Sequence, residues 1–182
     1  MNMRYFVTVV LFIASMTGAK AKNNISVDYT EESELVSVIA HLAKVPGYIW
    51  PEEQAGVIDY FHQVDSTFAP YSNHPIMAFV ADSLVKQGFG YHVPVAMALR
   101  LKLKNGKLHY NTDLEPDFNH YYRGITPQHE KKLIALLEDF YKKAHFHSFF
   151  KKNQPFYNAC KQTMQQQLVD KIDLDWYKSF FG

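Results

Sequence analysis

Apolar positions recur along this chain at three- and four-residue steps, and from Glu31 onward they group into helices separated by Pro, Gly and Asn. The first predicted helix is Glu31 to Lys44. Leu35, Val38, Ile39 and Leu42 repeat there behind Glu31, Glu32 and Glu34, acids that suit the positive end of a helix, and Pro46 and Gly47 stop it. A second opens after Pro51 and carries Val57, Tyr60, Phe61, Val64 and Phe68 on one side, up to a break at Pro70 to Asn73. A third begins at Pro75 with Ile76, Phe79, Val80 and Leu84 and ends at Gly88 and Gly90, as a glycine C-cap does.

Thr126-Pro127 places an N-cap residue and a first-turn proline ahead of Leu133, Leu136, Leu137, Phe140 and Tyr141, and Lys142 and Lys143 suit the far end of that helix. Pro155 starts another helix running to about Lys171, and Leu174 to Phe181 forms a short last one. The middle of the chain supports two readings. Pro94 favours a helix through Ala96, Met97, Ala98 and Leu99, whereas Leu101, Leu103 and Leu108 alternate around Asn105-Gly106 as in a hairpin. A helix passing into a small hairpin reconciles them. Asp113 to Gly124 is an irregular connection. The expected fold is therefore mainly α, an irregular bundle of about six helices with a short β-hairpin near residues 100–110.

Composition adds a core and a compartment. Eleven aromatic residues fall between Asp139 and Gly182: Phe140, Tyr141, Phe146, Phe149, Phe150, Phe156, Tyr157, Trp176, Tyr177, Phe180 and Phe181. Burying one such ring is worth roughly 1.5–3 kcal/mol, so they are expected in a core. At the other end, Arg4, the apolar run Tyr5 to Met16 and the small residues of Ala19-Lys20-Ala21 form an export signal cleaved after Ala21. An uncleaved membrane anchor is the competing reading, but the run is shorter than the roughly 20 residues a spanning helix needs.

The domain organisation expected is thus a signal peptide over 1–21, a flexible polar segment over 22–30, and one helical domain over 31–182. That domain reads as incomplete at its C-terminus, because the aromatic pattern runs straight into Gly182. Beyond residue 21 the chain has 17 basic and 18 acidic residues, a net charge of −1, which makes no electrostatic case for nucleic acid or an anionic membrane. Cys160 is the single cysteine, so no internal disulfide forms; its aromatic, helical context predicts a buried, inert thiol.

Nine histidines in an exported chain raise metal chemistry, and the spacings answer it. His129-Glu130 opens like HExxH, but Leu133 stands where the second ligand belongs, so the pair reads as two exposed polar residues in a helical first turn. His145 and His147 are two apart and share a face only on extended backbone, while Ala-His-Phe-His-Ser-Phe-Phe reads equally as a helix boundary packed by its rings. Asp113, Glu115 and Asp117 alternate like a calcium loop, yet Pro116 and Phe118 break the pattern and no closing Glu follows. Gly88-Phe89-Gly90 lacks the third glycine of a dinucleotide fingerprint. No GxSxG elbow or Walker loop is present, and the Asp117 to Arg123 stretch meets no catalytic template. No catalytic, cofactor-binding or metal residue is assigned.

Several segments carry a resemblance: Glu34-Leu35-Val36-Ser37-Val38-Ile39, Asp59-Tyr60-Phe61, Asn73-His74-Pro75, Gly88-Phe89-Gly90-Tyr91, Asp139-Phe140-Tyr141-Lys142-Lys143, Phe146-His147-Ser148-Phe149-Phe150, Pro155-Phe156-Tyr157 and Leu174-Asp175-Trp176-Tyr177-Lys178-Ser179-Phe180-Phe181-Gly182. Together they resemble a domain-of-unknown-function family of exported bacterial proteins that is similar to zinc metallopeptidases. The resemblance implies that full-length relatives continue to an HExxH helix with two His ligands for zinc and a Glu base, acting on a peptide substrate. None of those ligands maps onto a residue of this sequence, so zinc is expected only in the relatives.

The expectation is an exported periplasmic or extracellular protein, the truncated helical N-terminal portion of a zinc-metallopeptidase-like protein. Without the motif it is catalytically silent alone, with no nucleic-acid partner and no membrane association after signal cleavage. The alternative is an authentic short extracytoplasmic binding module.

Overall fold

The computed structural model describes residues 25–49, 58–111 and 124–181, with the backbone alone for Ile58, Leu174, Asp175, Tyr177 and Lys178. The signal segment, the start of the second helix and the acidic stretch Asp113 to Asp117 lie outside the described residues. Contacts divide the chain into two units, Tyr29–Tyr157 and the combination of Met1–Asp28 with Asn158–Gly182.

The first unit is mainly helical with one small hairpin, as the periodicity predicts. Helix α1, Glu31–Leu42, starts at Thr30, whose Oγ1 accepts the Ser33 N–H. It ends slightly before the expected boundary, because Lys44 enters the left-handed region at φ 57° and Val45 N–H closes onto the Ala40 carbonyl. The sequence marks an apolar stripe on α1, but Val36 and Ala40 are buried as well as Leu35, Val38 and Ile39. This wider burial follows from its position, since α1 packs on α3, α4, α5, α6 and β1.

Helix α2 is Ile58–Phe68, and a 3-10 turn, Ala69–Tyr71, follows it. Helix α3 starts as Pro75–Ala78, widens to π geometry over Phe79–Leu84 and tightens to a 3-10 turn at Val85–Gln87. Gly88 then takes φ 90°, where its lack of a Cβ matters, and Phe89 N–H reaches back to the Leu84 carbonyl. Helix α4, Val93–Leu99, runs into strand β1, Leu101–Lys104, which pairs antiparallel with β2, Lys107–Tyr110. Both sequence readings of this region hold, and Asn105 and Gly106, each at positive φ, make the two-residue turn.

Helix α5, Pro127–Lys143, crosses beneath the hairpin, and Glu138 ties the two together. Its carboxylate accepts the Leu108 N–H at 2.9 Å and the Lys107 ammonium at 2.8 Å. Burial alone would push the Glu138 carboxyl up, but Lys107 and the Leu108 N–H outweigh it and hold it below the usual glutamate range. A separate helix, α6 (Phe146–Lys152), follows a left-handed residue at His145, and α7 (Gln154–Gln167) begins immediately after Asn153.

Aromatic rings join these helices. Phe68 of α2 meets Phe140 at 5.5 Å, Phe146 at 5.9 Å and Phe149 at 4.9 Å between centroids. Phe68, Phe89, Phe140 and Phe146 are fully buried beside Leu35, Ile39, Ile76, Leu84, Leu133 and Leu137.

In the second unit, Gln165 Oε1 accepts the Val27 N–H at 2.8 Å and Lys161 pairs with Asp28 at 3.0 Å. A 3-10 turn, Val169–Lys171, leads to α8, Leu174–Phe181. Two expectations are corrected here. The rings of Asp139 to Gly182 do not all enter a core: Phe140, Phe146, Phe149, Phe150 and Tyr157 are buried, Tyr141 and Phe156 partly, but Trp176, Phe180 and Phe181 are 51%, 67% and 70% exposed. On the short α8 they pack on one another instead, Trp176 against Phe180 at 5.1 Å and Phe180 against Phe181 at 4.9 Å. Cys160 is exposed rather than buried. The buried residue of α7 is Tyr157, and Cys160, three positions on, lies on the exposed run Asn158 to Cys160.

Among the described residues no helix is long and apolar enough to cross a membrane. The ring contacts around Phe140 give the fold its most sensitive point: Phe140→Ala should lower unfolding free energy by about 3–5 kcal/mol in a denaturant titration.

Candidate functional site

Chemistry-bearing side chains converge at the first two turns of α1. Glu31 and Glu34 are three residues apart, so they share a face of the helix, and that face turns toward tyrosines brought in by α2, α5 and α7. Tyr60 donates its O–H to Glu34 Oε1, and the Tyr157 hydroxyl lies 3.0 Å from the Tyr60 hydroxyl. Because Tyr60 gives its one proton to Glu34, Tyr157 is the donor in the second bond, and the order runs Tyr157 to Tyr60 to Glu34.

Around this line stand rings. Tyr60 stacks on Phe156 at 4.7 Å, Tyr157 stacks on Phe150 at 5.3 Å, and Tyr29 approaches Tyr157 at 5.3 Å. Burial pushes the Glu34 carboxyl up, and the Tyr60 bond only partly opposes it. Burial also lifts the Tyr60 and Tyr157 phenols far above their ordinary range, with the charge of Glu34 adding to the effect.

Glu31 has a different set of partners. It accepts the Tyr141 O–H at 3.0 Å, and His147 Nδ1 lies 2.9 Å and 3.1 Å from its two oxygens. Burial followed by the bond to Glu31 pushes the Tyr141 phenol up to about 12. His147 is the member of this group that reaches solvent, with its side chain 55% exposed.

Three further histidines, His41, His74 and His129, are built into the scaffold. His41, at the end of α1, places Nδ1 3.1 Å from the Tyr48 carbonyl and Nε2 3.0 Å from Asp65, and its ring lies 4.6 Å from Phe61. His74 caps α3: Nδ1 accepts the Ile76 N–H at 3.3 Å, which leaves Nε2 as the donor to Asp139 at 3.0 Å. Lys143 and then His74 hold the Asp139 carboxyl below the usual aspartate range.

His129 closes a capping box, accepting the Thr126 N–H on Nδ1 while its own N–H bonds Thr126 Oγ1. Its neighbour Glu130 corrects the expectation of two exposed polar residues. It is partly buried, pairing with Arg100 at 2.8 Å and accepting the Tyr110 O–H at 3.2 Å, because α5 lies against the hairpin. His145 and His147 are not paired on extended backbone; His145 sits at φ 49° in the α5–α6 junction while His147 turns to Glu31.

Among the described residues no group of three His, Cys, Asp or Glu side chains is arranged to hold a metal ion. What the arrangement can do is hold and pass protons along a short hydroxyl chain ending in a carboxylate. Sequence reading identified Glu31, Glu34, Tyr60, Tyr141 and Tyr157 only as helix-start acids and core rings, and their convergence was not marked by any motif.

The double use of His74 has a measurable consequence. His74→Ala removes the α3 cap and should lower stability by about 0.5–2 kcal/mol. Asp139→Asn should cost stability near neutral pH, and that cost should shrink as pH falls through the depressed Asp139 range, where the wild-type carboxyl also becomes neutral. Urea titrations at a series of pH values check both.

Compared with protein-family models, with curated proteins and with solved structures, the chain matches none.

Proposed function

We propose that this chain is the helical, non-catalytic portion of an exported zinc-metallopeptidase-like protein, and that it contributes a scaffold and a surface rather than chemistry. The supporting observation is how three of the described histidines are engaged. His41 and His74 have both ring nitrogens engaged, and His129 has Nδ1 in a helix cap. Zinc hydrolysis needs at least two protein ligands with free lone pairs beside a base that can activate bound water, and each of these three rings already has a nitrogen committed to the scaffold. The exposed rings of α8 support the same reading, as a surface that further protein would cover.

A second reading, an independent extracytoplasmic binding module, is favoured by the closed core of the Tyr29–Tyr157 unit, where Phe68, Phe89, Phe140 and Phe146 are fully buried. Acrylamide quenching of Trp176, made the sole tryptophan by Trp50→Phe, separates the two readings. Strong quenching fits a surface awaiting further protein, and protection fits a self-sufficient module.

The main proposal is tested by assaying the purified chain on a peptide library with and without added zinc. The expected result is no hydrolysis above buffer, and zinc-dependent cleavage would overturn it. Translating the locus beyond the Gly182 codon in all three frames should reveal an HExxH segment within a domain's length.

A further inference from the structure

The Glu34 cluster is not used by that function, and its make-up is unusual for a carboxylate. From its own helix, Glu31 is the nearest titratable neighbour and has the same sign of charge. From the segment before α1 comes Tyr29, from α2 Tyr60, from α5 Tyr141, and from α7 Tyr157 with the apolar ring of Phe156. Helix α6 supplies Phe149 and Phe150, and its His147 bonds Glu31. Among the described residues no Lys or Arg pairs with Glu34; Tyr60 is its donor. A carboxylate placed among rings with one neutral donor and no cation is neutralised more readily than it is paired.

The hydroxyl chain accommodates either state. With Glu34 ionised, protons point from Tyr157 to Tyr60 to the carboxylate. With Glu34 protonated, its O–H can donate to the Tyr60 oxygen, and Tyr60 can donate on to Tyr157, so the chain reverses direction without losing a bond. Only the ionised state leaves a net charge among the rings. Such a group opposes folding when it is charged and ceases to do so when it takes up a proton.

We propose that Glu34 is a proton-operated latch: protonated, it closes the seam between α1 and the ring wall of α2, α6 and α7, and ionised, it loosens that seam, so the fold tightens in mild acid. The sign follows from linkage. Burial raises the Glu34 carboxyl in the folded state, so the folded chain binds more protons than the unfolded chain between the unfolded and folded titration points. Stability from this group is full below the ordinary glutamate range and falls as pH rises through the folded one.

The test compares thermal melts of wild type, Glu34→Gln and Tyr60→Phe at a series of pH values, together with carbon-13 NMR titration of the glutamate carboxyls in the wild type. Glu34→Gln, permanently neutral, should melt higher than wild type by roughly 2–4 °C near neutral pH and lose that advantage below about pH 4. Tyr60→Phe removes the one donor to the ionised form and should steepen the pH dependence. In the NMR titration Glu34 should take up its proton above the ordinary glutamate range. If Glu34→Gln proves unfolded, the wild-type titration still decides. A Glu34 that titrates within or below the ordinary glutamate range, or a melting difference that is the same at all pH values, would overturn the latch.

Discussion

Everything in the Tyr29–Tyr157 unit depends on burying α1 on several sides at once. Leu35, Val36, Val38, Ile39 and Ala40 leave that helix almost no polar surface beyond its first turn, so its charges are confined to Glu31, Glu32 and Glu34. Helices α3 to α6 and strand β1 close around its apolar length. The aromatic side chains that fill the remaining space, led by Phe68, Phe140, Phe146 and Phe149, arrive at the same end of α1 as its acids. The carboxylate and tyrosine network is therefore a by-product of the packing: the residues needed to start the helix lie where the rings needed to cover it converge.

The same economy governs the imidazoles. His41 ties the end of α1 to Tyr48 and Asp65, His74 and His129 help begin two other helices, and each does so through ring nitrogens that reactive chemistry would require to be free. A histidine used as a cap carries a fixed tautomer and orientation, which makes it a good structural residue and a poor acid or base.

The sequence made the helices and the hairpin legible because both rest on local rules. Gly88 as a C-cap, Thr126-Pro127 as a start and Asn105-Gly106 as a tight turn need no information from elsewhere in the chain. The break at His145, which splits off α6, was less visible because a left-handed non-glycine residue carries weak local signals. Exposure was misread where local composition stood in for tertiary position, as at Cys160, Glu130, Trp176, Phe180 and Phe181. The proton-holding cluster was the least legible feature. Its bonds join residues such as Tyr60 to Tyr157 and Glu31 to His147 across most of the chain, and neither spacing nor residue type marks those partners in advance.

The hairpin has a bearing on how this protein behaves when concentrated. A two-stranded sheet has little width relative to its outer edges, and unsatisfied edge groups invite a strand from another molecule. Lys102, Lys104 and Lys107 occupy three of its eight strand positions, with Lys104 directly opposite Lys107. Lys107 is anchored by Glu138, whereas an incoming copy of the same hairpin would set its own Lys102 and Lys104 against these two. Mutual repulsion thus guards the most adhesive backbone in the fold and favours a hairpin that pairs only with itself.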